Sequence, residues 1–188
     1  MKNIYIILTQ SGTILSKVIK FATAEDYNHA SLCLDDKFEN LYSFGRLRPY
    51  NPLIGGFLIE NAFTHVFGRF KYVPCMVIKK EVTDEQYDSI CKTINHFIKH
   101  PTDYKFDIPN LFFAKTDITF PHENKFFCSA FVGHVLQTAG IEIPNTLVKM
   151  RPYQFTKLDN AKIIYTGELK EWCGIKCKMP EIKTALMN

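Results

Sequence analysis

Hydrophobic and polar positions change their period several times along the chain, and each change marks an element. The apolar run Ile4-Tyr5-Ile6-Ile7-Leu8 predicts a short buried strand. Between Ser11 and Phe21, residues Ile14, Leu15, Val18, Ile19 and Phe21 fall close to helical spacing. His29-Ala30-Ser31-Leu32-Cys33-Leu34 and Leu41-Tyr42-Ser43-Phe44 flank the polar turn Asp35 to Asn40, which predicts a β-hairpin. In its first strand Ala30, Leu32 and Leu34 share one face, and His29, Ser31 and Cys33 the other. Two prolines and the pair Gly55-Gly56 predict an irregular loop from Arg48 onward. Phe70 to Lys79 reads as a strand in which Pro74 marks an edge or a bend.

Two helices stand out. Thr83 and Gln86 have capping-box spacing, and Tyr87, Ile90, Cys91, Ile94, Phe97 and Ile98 then form one apolar stripe that should stop before Pro101. From about Phe127 to Ala139, residues Cys128, Phe131, Val132, Val135, Leu136 and Ala139 repeat at helical spacing, and Gly140 is a natural stop. Ile163-Ile164-Tyr165 allows a last strand. Strands and helices mix without regular βαβ alternation, so the predicted class is α+β.

The length of 188 residues suits one domain over the whole chain, and 46% hydrophobic with 22% charged residues suits a packed core rather than disorder, collagen or coiled coil. A net charge of +4, with Lys and Arg spread out, argues against a nucleic-acid surface. The run Ile4–Leu8 is far shorter than the ~20 residues of a membrane span, and it lacks the features of a secretory signal. A cytoplasmic protein is therefore expected, and its six dispersed cysteines read as thiols rather than a disulfide framework. Only Cys173 and Cys177 are close enough in sequence to raise the question of pairing.

Cys128 is the most informative position. It falls in the first turn of its predicted helix, where free N–H groups and the helix dipole favour a thiolate. On position alone a buried, inert cysteine is the commoner case. His29, near a strand start beside Ser31, is the natural base for such a nucleophile, although on position alone a surface or half-buried histidine making one hydrogen bond is the commoner case.

Together these segments carry a resemblance. Tyr27-Asn28-His29-Ala30-Ser31-Leu32, Leu41-Tyr42-Ser43-Phe44-Gly45-Arg46 and Phe126-Phe127-Cys128-Ser129-Ala130-Phe131-Val132 resemble the circularly permuted papain-like cysteine hydrolases of the NlpC type. The YiiX/YebB-like group, related to the lecithin–retinol acyltransferase-like enzymes, is the nearest in look. Such a fold places an antiparallel sheet on helices, with the histidine strand before the nucleophile helix. The resemblance spans roughly Ile4 to Ile141 and implies Cys128 as nucleophile and His29 as base. Many relatives carry Glu or Gln on the strand after the histidine, where this chain has Ser43. Ser43 is then a candidate third member able to accept the imidazole N–H, but it brings no negative charge. Glu60 is an alternative orienter, although exposed acids are the rule and a solvated carboxylate is the expected state.

The implied chemistry is acyl transfer through a thioacyl enzyme, with the Cys128 N–H as one oxyanion donor and no second donor identifiable. Tyr50 and Phe57 are candidates to line a cleft, aromatics being more often core. The resemblance points to a small peptide or amide substrate, with cell-wall-derived peptides one class. Lipid acyl hydrolysis or transfer, and an inactive peptide-binding module, are the competing functions. No cofactor or metal is expected. His96 and His100, four apart on the first helix, lie off its apolar stripe, and Cys173-Gly174-Ile175-Lys176-Cys177 has no second pair. His122 is a backup base, and His134 points away from Cys128.

Overall fold

The computed structural model describes residues 1–10, 26–48, 51–113 and 116–175. The helix expected over Ser11–Phe21, together with Tyr50 and Cys177, lies outside them. The opening run forms β1 (Lys2–Thr9), followed by β2 (His29–Cys33), β3 (Leu41–Arg48) and β4 (Asn51–Glu60). A short α1 (His65–Gly68) precedes β5 (Pro74–Val82) and α2 (Asp84–Lys99). Then come β6 (Lys105–Phe106), α3 (Ile108–Phe113), β7 (Lys125–Phe126), α4 (Cys128–Thr138) and β8 (Ala161–Glu168), with residues 169–175 helical.

Six strands make one antiparallel sheet in the order β4-β3-β2-β1-β5-β8, and β6 pairs with β7 in parallel. The molecule is thus α+β, as expected. β1 is central and buried on both faces, which is why its sequence is continuously apolar rather than alternating. Ile4, Ile6, Leu8, Ala30, Leu32 and Phe44 pack on one face against Ile90, Ile94 and Phe97 of α2 and Phe131 and Val135 of α4. Tyr5, Ile7, Cys33 and Val77 pack on the opposite face with Phe38, Phe67 and Trp172. Among the described residues no helix is long and apolar enough to cross a membrane.

Local chemistry sets the helix ends where the sequence placed them. Thr83 Oγ1 accepts from Gln86 N–H at 3.1 Å, while Gln86 Oε1 accepts from Thr83 N–H at 3.1 Å. At the end of α4, Gly140 takes φ +73, a left-handed conformation that glycine adopts at little cost.

Two expectations are corrected. Asn51 to Gly56 do not form an irregular loop: β4 starts at Asn51 and pairs with β3, with a register shift between Arg46 and Arg48. β4 is the sheet edge, where Pro52 need not donate to a second neighbour. Gly55 is required by close approach, since a Cβ there would lie 2.6 Å from Phe106 Cγ and 2.8 Å from the Gly45 carbonyl oxygen. The strand expected from Phe70 begins instead at Pro74, which opens β5 between β1 and β8 and so does not lie on an edge. Gly55→Ala is expected to cost about 1–3 kcal/mol through this overpacking. A denaturant midpoint equal to that of the wild type would contradict the packing described.

Candidate active site

Cys128 is the first residue of α4, and Phe127 before it is extended, at φ −112 and ψ 172. The approach to this turn is fixed from two sides. Asp107 N–H donates to Phe126 O at 2.9 Å, and Ser129 Oγ–H donates to Met150 O at 2.8 Å. Because α4 starts here, the first N–H groups have no intrahelical acceptor and face the Cys128 end. Cys128 itself is only 6% exposed, and its Sγ lies 4.0 Å from the carbonyl oxygen of Asn28, at the start of β2.

His29 opens β2, and its imidazole interacts with both the Cys128 thiol and the Glu60 carboxylate. Nε2 is 2.7 Å from Glu60 Oε2 and 3.2 Å from Ser43 Oγ. Counting hydrogens settles the tautomer. Ser43 Oγ–H is committed to Ala30 O at 2.8 Å, and Ser31 Oγ–H donates to Glu60 Oε2 at 2.8 Å. Both groups therefore face Nε2 with lone pairs only, so Nε2 carries the proton and Nδ1 is left for the thiol. Burial, the largest single influence on His29, opposes its charge. The charge of the Glu60 carboxylate, with the ring's hydrogen bonds to Cys128 and Glu60, outweighs it and holds the His29 pKa well above the usual histidine range.

The structure thus brings together all four residues singled out from the sequence, with Ser31 added. Glu60 corrects the expectation of a solvated carboxylate, since it is 6% exposed and paired. The sign available for it is the run Phe57-Leu58-Ile59 immediately before it, strand-like once a proline is admitted at an edge. Phe57 is core, packed against Phe97 and Phe131 at 5.7 and 5.6 Å between ring centroids, and not a cleft residue. His122 is exposed on a turn. His134 lies against Phe126 and Phe97, and burial lowers its pKa. His96 and His100 sit at the exposed end of α2, where His96 Nε2 is 2.9 Å from Tyr104 OH and His100 Nδ1 is 3.6 Å from Asp103 Oδ2.

No family model and no curated protein matches the sequence. Among solved structures, the metalloprotein yiiX from Escherichia coli O157:H7, a DUF1105 protein, is similar with a TM-score of 0.52. The match is 17% identical and covers 88% of this chain and 97% of that one. The fold is therefore YiiX-like, and at this identity the likeness concerns the fold alone.

Proposed function

We propose that this chain is a thiol hydrolase of permuted papain-like, NlpC-type architecture, a cysteine peptidase or amidase acting on a peptide or amide. The observation that carries the reading is the His29 imidazole held between a helix-start thiol and a buried carboxylate. Nδ1 takes the Cys128 proton, and the thiolate Sγ attacks the carbonyl carbon while Glu60 stabilises the imidazolium. The carbonyl electrons move to oxygen, where the Cys128 N–H at the start of α4 is placed to donate. As the tetrahedral intermediate collapses, Nδ1–H protonates the leaving amine and a thioester remains on Cys128. Water, deprotonated by the same nitrogen, then releases the acyl group. Cell-wall-derived peptides are the substrate class that the sequence resemblance favours, and a cytoplasmic location remains part of the proposal.

Among the described residues no group of three or more His, Cys, Asp or Glu side chains could hold an ion, and no step is routed through one.

The pH dependence of iodoacetamide alkylation, read by peptide mass spectrometry, tests the thiol. Burial pushes Cys33 and Cys75 up to about 12, so neither should react near neutrality. Cys128 is expected to be labelled selectively below about pH 7, and His29→Ala should remove that selectivity. Labelling of Cys128 only above about pH 8, unaffected by the histidine change, would remove the chemical basis of the reading.

A further inference from the structure

Ser31 lies two residues after His29 on β2, so both side chains leave the same face of the sheet. It is wholly buried. Ile7 stands opposite it on β1, and the register that pairs Leu32 with Tyr42 sets Ser43 opposite it on β3. The Ile7 side chain has no acceptor to offer, and the Ser43 hydroxyl proton goes to Ala30 O. A buried hydroxyl costs free energy unless it is hydrogen-bonded, and alanine at this position would avoid that cost. What the Ser31 hydroxyl meets is a carboxylate. Oγ–H donates to Glu60 Oε2 at 2.8 Å, the same oxygen that lies 2.7 Å from His29 Nε2.

Glu60 needs such a hold. It is the last residue of the edge strand β4, and the chain turns away directly after it, where Thr64 N–H donates to Asn61 O. A glutamate side chain is also among the costliest to order, because it has many rotamers to lose. The imidazole alone would give Oε2 one fixed donor. With Ser31 it has two, both carried by β2 and held at the spacing of that strand. We infer that Ser31 is a positioning residue, which acts through Glu60 by holding Oε2 against His29 Nε2 so that the ring keeps Nδ1 for the thiol. This rests on the reading of Cys128 as nucleophile. Ser31 gives up no proton in any step, and it keeps its bond to Oε2 throughout. The charged or titratable groups acting on the ring are Glu60 from β4 and Cys128 from α4, while Phe67 of α1 adds only an aromatic ring.

Two measurements separate this role from a structural one. NMR of the His29 Cε1–H follows protonation of the ring in Cys128→Ala, where the imidazole titrates without its thiol partner. Adding Ser31→Ala is expected to lower that midpoint by about one pH unit, toward the ordinary histidine value, because the carboxylate is no longer fixed beside Nε2. With Cys128 in place, Ser31→Ala should slow acylation by p-nitrophenyl acetate, located at residue 128 by mass spectrometry, about 10–10²-fold. Ser31→Thr keeps the hydroxyl on a side chain suited to a strand, and should recover most of both effects. A serine that only stabilises the fold predicts a lower melting temperature with the His29 midpoint unmoved. An unmoved or raised midpoint, or an unchanged acylation rate in Ser31→Ala, overturns the assignment, whether or not the threonine variant folds. A wild type whose Cys128 is inert to the ester overturns the thiol reading itself, and the catalytic part of the Ser31 role with it.

Discussion

Cys128→Ser and His29→Ala are each expected to lower the acylation rate by about 10⁶-fold, and the double variant no further. The reason is that the two side chains do one job. Without the imidazole the thiol has no acceptor for its proton and no cation to stabilise its charge, and without the thiol the imidazole has nothing to activate. Groups that act as a unit show costs that do not add, whereas independent groups show costs that multiply. Single-turnover acylation, with the acyl mark located at residue 128, measures all three variants against the wild type. Two large single costs that multiply in the double variant would show that His29 and Cys128 do not form a pair.

Glu60→Gln is expected to reduce acylation by about 10⁴-fold, the scale seen when a carboxylate behind a catalytic histidine becomes an amide. The amide has nearly the same shape, but its NH₂ can donate to Nε2. That moves the histidine proton to Nδ1, the nitrogen needed as base, and it removes the charge that supports the imidazolium. A pH signature accompanies the loss. In the folded wild type the His29 pKa is raised above the ~6.5 of an unfolded histidine. Its stabilising contribution is therefore fully present below that value and is lost as pH rises through the folded pKa. The stability difference between wild type and Glu60→Gln should accordingly be largest near pH 6 and shrink toward alkaline pH, as followed by denaturant unfolding. A difference that grows with pH would contradict the pairing. Ser43, 0.5 Å farther from Nε2 and committed to a backbone carbonyl, has no charge to contribute.

The contrast between Ser43 and Glu60 shows where sequence reading was sufficient and where it failed. Ser43 was singled out because it falls where the resembling family carries an acid on the strand after the histidine, and the β2–β3 hairpin, a local structure, does bring it to His29. Glu60 belongs to a strand that the prolines and glycines of Asn51 to Gly56 disguise as a loop. With that strand hidden, nothing in the chain put Glu60 opposite Leu41 and beside Ser31 and His29.

By itself the sequence determined the local elements: a capped α2, an α4 ended by Gly140, a buried apolar β1, and the placement of Cys128 at a helix start and His29 at a strand start. These follow from periodicity, capping and turn chemistry, which act over a few residues. The tertiary structure decided the rest, because strand order and register set what meets across long separations. It placed β4 at the edge and carried Glu60 to the imidazole. It also buried a carboxylate that sequence statistics would leave in water.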